Sequence, residues 1–368
     1  MVSQGCFAAC AALVFSGVFL PARGDNWAVI VDASRYFYNY RHAINALAIY
    51  DVVRSQGVPD SNILLYLADY PASDPRNVFP GRLFFDPGTS GRSIAGPDVE
   101  VDVRGHGVNA ASFIRLLTGQ GHADHPRNQV LKSNNESFVL VYLTGHGGDE
   151  FLKFSDIDEL GAPELGDAFQ TMHSKGRYRE LLLMVDTCQA STMASHVRAP
   201  NIISMASSQR GENSYALHGD DDIGVSTVDR FTAAALNFFS KHRDTDQTLA
   251  DLFNSFRPSQ LHSNPELVQF NSSRRLSSIP ASDFFASVSA RAVASRAVAK
   301  FDVATSDDAE ERRPVYQLQG FEPSIIRGQR ATTMLGTKKA LSVEGMMLGM
   351  VSATAAIAST LAVLLIPS

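Results

Sequence analysis

Two uninterrupted apolar runs dominate the hydrophobic pattern of the chain, at residues 138–143 and 181–185. Runs of this length, with no polar position in alternation, predict strands buried on both faces, as in a parallel sheet covered by helices. Residues 26–31, 62–68 and 201–206 predict further strands. Between them lie segments with a helical period. Ile44, Leu47, Ala48 and Val52 predict a helix over 40–56, which Gly57 and Pro59 close. Helices are also predicted over 108–117, 166–173 and 228–241, the last with Phe231, Ala235 and Phe238 on one side. Residues 99–103 alternate Val with Glu and Asp, the pattern of a short half-exposed strand. Strands alternating with helices in this way predict an α/β sandwich around a mostly parallel sheet.

Two stretches break the pattern. Residues 70–97, rich in Pro, Gly, Asp and Arg, read as a long surface excursion, and 149–165 as a loop. Beyond Arg243 the periodicity degrades, so the ordered domain is expected over 23–290, followed by a linker over 291–342.

The ends of the chain differ from its middle. Residues 1–22 hold an apolar stretch followed by small residues near Ala22, which predicts a secretory signal peptide. Residues 345–366 run for 22 positions without a charge. As a helix that is about 33 Å, enough for a bilayer core, so a transmembrane helix is predicted over 343–366. Loss of the signal would take Cys6 and Cys10 with it. Cys188 would then be the single thiol of the mature chain, and no internal disulfide is expected. The whole chain has 368 residues, 45% of them hydrophobic, and a net charge of −6. That charge gives no reason to expect a nucleic acid partner.

Parallel sheets carry their chemistry just beyond the carboxyl ends of their strands. The two apolar runs stop at Thr144-Gly145-His146-Gly147-Gly148 and at Asp186-Thr187-Cys188-Gln189. The interval between them holds enough residues for a helix and a crossover, so adjacent parallel strands would set His146 beside Cys188. A thiol beside an imidazole is the arrangement for a thiolate nucleophile with a general acid/base.

Several segments, in order along the chain, carry a family resemblance. They are Asn26-Trp27-Ala28-Val29, Asn39-Tyr40-Arg41-His42, Pro59-Asp60-Ser61, Val99-Glu100-Val101-Asp102, the His146 and Cys188 segments, and Phe151-Leu152-Lys153-Phe154. Together they resemble the legumain-like cysteine peptidases, and within them the catalytic subunits of glycosylphosphatidylinositol (GPI)-anchor transamidases. The resemblance implies a three-layer sandwich of the caspase and legumain type. It implies Cys188 as nucleophile, His146 as general acid/base and Asn39 as the third active-site residue. The N–H groups of Gly147 and Cys188 would form the oxyanion hole, and Arg41 would line the substrate cleft; His42 is expected either there or at the surface, where the helix starts. Ser207 and Ser208, at the next strand end, are candidates for its wall. No cofactor is expected for catalysis, but Asp60, Glu100 and Asp102, with the carbonyl of Ile63, resemble a structural calcium site.

The same resemblance implies a reaction. The enzyme would cut the C-terminal signal from a proprotein through a Cys188 acyl-thioester and pass the new carboxyl end to the ethanolamine amine of a GPI glycolipid. It would act with other subunits of a membrane complex, its catalytic domain in the lumen of the endoplasmic reticulum. Two departures bear on this. Ser73 stands where many members carry a cysteine that bridges to a partner subunit. Lys338 and Lys339 precede the apolar span and oppose the positive-inside bias for a lumenal domain. The alternatives are a soluble legumain-type asparaginyl endopeptidase and a non-catalytic scaffold subunit; intact Asn39, His146 and Cys188 argue against the second. A third alternative reads the terminal apolar run as a GPI attachment signal cleaved at a small residue such as Ser342, but its polar spacer is poor. Sequons at Asn135 and Asn271 predict N-glycans, Asn271 being better placed because Asn135 directly precedes a buried strand.

Overall fold

The structure, a computed structural model, describes residues 25–85, 93–96, 98–120, 130–217, 219–242 and 247–287. The expected signal peptide, linker and transmembrane helix lie outside these residues. Among the described residues no helix is long and apolar enough to cross a membrane.

The apolar runs form the centre of a seven-stranded sheet. Its strands are β1 (Asn26–Asp32), β2 (Ile63–Leu67), β3 (Val103–Arg104), β4 (Phe138–Thr144), β8 (Glu180–Asp186), β9 (Ile202–Ala206) and β10 (Glu266–Phe270). Their order is β10-β9-β8-β4-β1-β2-β3. Every neighbouring pair is parallel except β9 with the edge strand β10. The helices are α1 (Tyr40–Ser55), α2 (Ala110–Thr118), α3 (Ala162–Ser174), α4 (Arg230–Lys241), α5 (Leu249–Ser255), α6 (Pro258–Leu261) and α7 (Ser282–Phe285).

Side chains alternate across the strands and divide the core in two. Ile30, Leu140, Tyr142, Leu182 and Met184 belong with Ile44 and Leu47 of α1, Phe231 and Phe238 of α4, and Phe284 of α7. Val31, Val139, Val141, Leu183 and Val185 belong with Phe113 and Leu117 of α2 and Phe169 and Met172 of α3. The result is helix, sheet, helix: the three-layer, mostly parallel α/β sandwich that the sequence predicts. Each fully buried Leu or Phe contributes about 1.5–3 kcal/mol, so both helical layers are needed to cover the continuous apolar strands.

Two expectations require correction. Residues 149–165 are not a loop. They hold most of a small antiparallel sheet of β5 (Gly147–Gly148), β6 (Phe151–Phe154) and β7 (Asp158–Gly161), and α3 starts at once after it. Ser155 and Asp156, both left-handed at φ 55° and 58°, make its tight turn, a conformation that short polar residues tolerate better than most. The strand expected over 99–103 shrinks to Val103–Arg104, at the sheet edge. The degraded region after Arg243 supplies β10, α5 and α7; Phe284 and Phe285 are wholly buried there.

Candidate active site

The sheet's strand order reverses between β1 and β4, with β2 and β3 to one side and β8 and β9 to the other. Such a reversal opens a crevice beyond the carboxyl ends of the strands. Three of the expected site residues lie around it. Asn39 follows β1, His146 follows β4 and Cys188 follows β8. Strands β4 and β8 are adjacent and parallel, with Thr144 opposite Asp186 as the last pair. His146 and Cys188 each lie two residues beyond that pair, at the same end of two adjacent parallel strands. Both are partly exposed, while Asn39 is buried.

The imidazole is oriented from behind. Asn39 donates its Nδ2 to the carbonyl of Arg35 at 2.7 Å, and its Oδ1 lies 2.8 Å from Nε2 of His146. A carbonyl cannot donate, so the Arg35 contact fixes which way the amide points. Nε2 must then carry the proton, and in the neutral ring Nδ1 keeps the lone pair. Burial, followed by the positive charge of Arg41, pushes the His146 pKa below its ordinary value. At neutral pH the ring is therefore a free base, ready to accept a proton from a thiol.

The glycines around His146 are there for space. A Cβ on Gly147 would lie 2.6 Å from the Thr187 hydroxyl and 2.7 Å from the Phe151 carbonyl oxygen. Gly145 has a φ of 153° and packs on Ser34 and Ala33. This close packing sets the backbone of the His146 turn directly against the Cys188 turn.

Beneath the pair lies a buried polar layer. Asp229 receives the Arg41 guanidinium at 3.1 Å and the Asn45 amide at 2.6 Å. Asn45 also donates to the hydroxyl of Thr144, the last residue of β4. Asp186, the last residue of β8, accepts from Ser214 and from Thr232, which is itself 2.6 Å from the Tyr142 hydroxyl. Burial, and then the charge of Asp229, push the Asp186 carboxyl up to about 7. Burial of like charge in a dry site favours a proton on one of the two neighbours. His42, expected either at the cleft or at the surface, is in neither place. It is buried with its ring edge-on to His146, centroids 5.0 Å apart, and burial drives its pKa well below the ordinary value.

Ser207 and Ser208 are wholly buried, and both hydroxyls donate to the Thr187 carbonyl, at 3.1 and 2.8 Å. Ser208 also accepts from the Ala190 N–H. They hold the turn that carries Cys188. Ser73 is exposed, on the rim of a separate cavity of about 340 Å³ formed with Tyr70, Asp74, Asn77 and Pro80, which shares no residue with the catalytic cluster. Asn135 and Asn271 are both exposed.

Asp60, Glu100 and Asp102 are close enough to feel each other's charge. Burial first, then Glu100 and Asp60, raise the Asp102 carboxyl to about 7. Its Oδ2 accepts the Leu65 N–H, while Asp60 accepts from the Tyr50 hydroxyl and pairs with Arg54. Among the described residues no three such groups are gathered around one point. The donor set fits a hard dication in kind, and its mutual repulsion is what a dication would relieve.

Asp229 and Asn45 escaped the sequence reading. Asp229 precedes α4 and reads there as an ordinary N-cap. In the fold its side chain makes no cap bond and turns instead to Arg41 and Asn45.

The Peptidase C13 family profile matches residues 26–286. This chain belongs to the peptidase C13 family. The match runs from the first residue of β1 to just past α7, so the family's extent is that of the sandwich. Among curated relatives, a "GPI-anchor transamidase" of Saccharomyces cerevisiae is 43% identical over 265 residues, 72% of this chain and 64% of that one. Another, of Schizosaccharomyces pombe, is 42% identical over 266 residues, 72% of this chain and 70% of that one. A third, of Homo sapiens, is 41% identical over 271 residues, 73% and 68%. The chain thus spans slightly under two thirds of the S. cerevisiae relative. Caspase-1 from Spodoptera frugiperda superimposes with a TM-score of 0.40 at 12% identity, over 67% of this chain and 87% of that one. The assignment to C13 rests on the sequence profile and the relatives, and the fold on the strand order described above.

Proposed function

We propose that this C13 chain is the catalytic subunit of a GPI-anchor transamidase. The observation that supports the chemistry is the register of β4 and β8, which brings His146 and Cys188 to the same end of adjacent strands, with Asn39 behind the imidazole. The names of the relatives carry the choice of acceptor.

Nδ1 of His146 takes the Cys188 proton as the sulfur attacks the carbonyl at the attachment residue of a proprotein. The oxygen becomes an anion facing the N–H groups of Gly147 and Cys188. Collapse breaks the C–N bond. His146 gives its proton to the leaving amine, and the severed C-terminal signal departs, leaving an acyl-thioester on Cys188. The ethanolamine amine of a GPI glycolipid then attacks that thioester, His146 takes the proton, and the thiolate leaves as the new amide forms. Arg41, tied to Asp229, would line the cleft that takes the residue being cleaved.

The second reading, a legumain-type endopeptidase, shares every step but the last, in which water resolves the thioester. An amine outcompetes water only by being held in place, and effective molarities of about 10⁵–10⁸ M are available to well-oriented groups. The test is to supply a small surrogate amine, hydrazine, to membranes carrying the full chain and a proprotein ending in a hydrophobic signal. The hydrazide of the shortened protein is the expected product. Free acid alone at every hydrazine concentration would make the chain a hydrolase. The setting that suits such a transfer is the endoplasmic reticulum membrane, with the sandwich in the lumen and other subunits around it.

We also assign Asp60, Glu100 and Asp102, with the Ile63 carbonyl, to a structural calcium ion. The ion would offset like charge at the start of β2 and takes no part in the reaction. Calcium should raise the melting temperature by mass action, and Asp102→Asn should remove the rise. A melting curve indifferent to calcium in the parent protein would leave these carboxylates as an ordinary acidic surface.

A further inference from the structure

The β4–β8 ladder ends at Thr144 and Asp186, just short of the residues that react. Beyond it the two strands continue as separate turns, one holding His146 and Gly147, the other Cys188. Among the described residues, the hydrogen bonds that join residues 145–150 to 187–196 run through two groups. One is the Glu150 carboxylate, which meets Ser195 and His196. That contact is exposed, and exposed contacts of this kind contribute little. The other is the hydroxyl of Thr192, which is only 3% exposed.

Thr192 Oγ1 accepts the N–H of Glu150 at 2.7 Å and lies 2.8 Å from the carbonyl of Gln189, with the Gly148 carbonyl further off at 3.3 Å. A hydroxyl has one proton, so it accepts from Glu150 and donates chiefly to Gln189. Both partners are non-glycine residues in the left-handed region, Glu150 at φ 65° and Gln189 at φ 54°. Such conformations are costly and persist only where the surroundings fix them, most often at active sites. Gln189 adjoins the nucleophile, and Glu150 closes the turn that begins at Gly145. The close fit of Gly147 on Thr187 shows how little slack lies between the two turns.

We propose that Thr192 is a positioning residue: its single buried hydroxyl fixes the turn bearing Cys188 against the turn bearing His146 and Gly147. The inference rests on Cys188 and His146 being the nucleophile and base, as proposed above. Thr192→Val keeps the shape and removes the bond. It leaves the Glu150 N–H unpaired and releases both left-handed residues, and a shift of about 1 Å between reacting groups costs roughly a hundredfold in rate.

The test uses membranes carrying the full chain and two readouts. One is kcat and KM for transfer to hydrazine. The other is alkylation of Cys188 by iodoacetamide across the neutral pH range, followed by mass spectrometry of the peptide containing it. Thr192→Val should lower kcat by roughly a hundredfold with KM little changed. Its alkylation should slow across that range, because His146 no longer meets the thiol to take its proton. Thr192→Ser, which keeps the hydroxyl, should restore both. Parental kcat and an unmoved profile in Thr192→Val would overturn the proposal while leaving the nucleophile assignment intact. His146→Ala in the same alkylation assay tests that assignment separately, because a profile it does not change would remove His146 as the base. Should Thr192→Val not fold, Thr192→Ala carries the same expectation. If neither folds while Thr192→Ser does, the hydroxyl is simply structural and the proposal is wrong.

Discussion

Cys188→Ala is expected to abolish product formation, by roughly 10⁴–10⁶-fold in kcat, while the sandwich stays folded. In the proposed reaction the sulfur is the atom that bonds to substrate, and Cys188 is the free cysteine of the described residues. The side chain sits partly exposed at the end of β8, outside both buried clusters. Removing it leaves no cavity in the core, so the stability cost should stay within the ordinary range of about 0.5–3 kcal/mol. His146→Ala should cost nearly as much activity, and the double variant no more than either single one, because nucleophile and base act as a unit. Transfer to hydrazine, with the melting temperature as control, measures both effects. Near-parental turnover in Cys188→Ala would remove the catalytic assignment altogether.

The second large effect is expected at Gly147. Its φ is ordinary, so Gly147→Ala adds no backbone strain; what it adds is a methyl group in occupied space. The new Cβ would meet the Thr187 hydroxyl at 2.6 Å and the Phe151 carbonyl at 2.7 Å, closer than real Cβ contacts come. Neither neighbour can yield cheaply. Thr187 adjoins the nucleophile and is buried, and Phe151 belongs to the β5–β6 ladder. The Gly147 backbone must therefore move, and its N–H is one of the two proposed above to receive the oxyanion. Loss of one such donor costs roughly 10²–10³-fold in kcat. The expected result is a folded variant with kcat lowered on that scale and Cys188 still open to alkylation. A variant with full kcat would show that the oxyanion is held elsewhere.

Cys188 and His146 stood out in the sequence as the proposed nucleophile and base because both sit where an unbroken apolar run stops. Two apolar stretches ending in reactive residues carry their own placement, since a strand buried on both faces has one end at which chemistry can meet solvent. The helical periods of α1 and α4 and the central strands were legible for the same reason: their signal is local and repeats along the chain. Asn39 was named through its family resemblance, and the structure adds what its amide does, fixing the proton of His146 on Nε2.

Other parts had no local signature. The hairpin of β5, β6 and β7 has short strands of mixed polarity, and its pairing partners decide that it is a sheet at all. β10 is half-buried along its whole length and becomes a strand only because β9 offers it an edge. Asp229 reads as a helix cap, His42 as a helix-start residue, and Ser207 and Ser208 as pocket wall. Their true partners lie across the fold: Arg41 and Asn45 for Asp229, the His146 ring for His42, and the Thr187 carbonyl for the serines. The sequence by itself determined the layered sandwich and the strand ends that carry Cys188 and His146, because hydrophobic periodicity is written residue by residue. Only the tertiary structure decided how those residues are held, because a buried polar group must find a partner, and that partner is chosen by proximity in space, not along the chain.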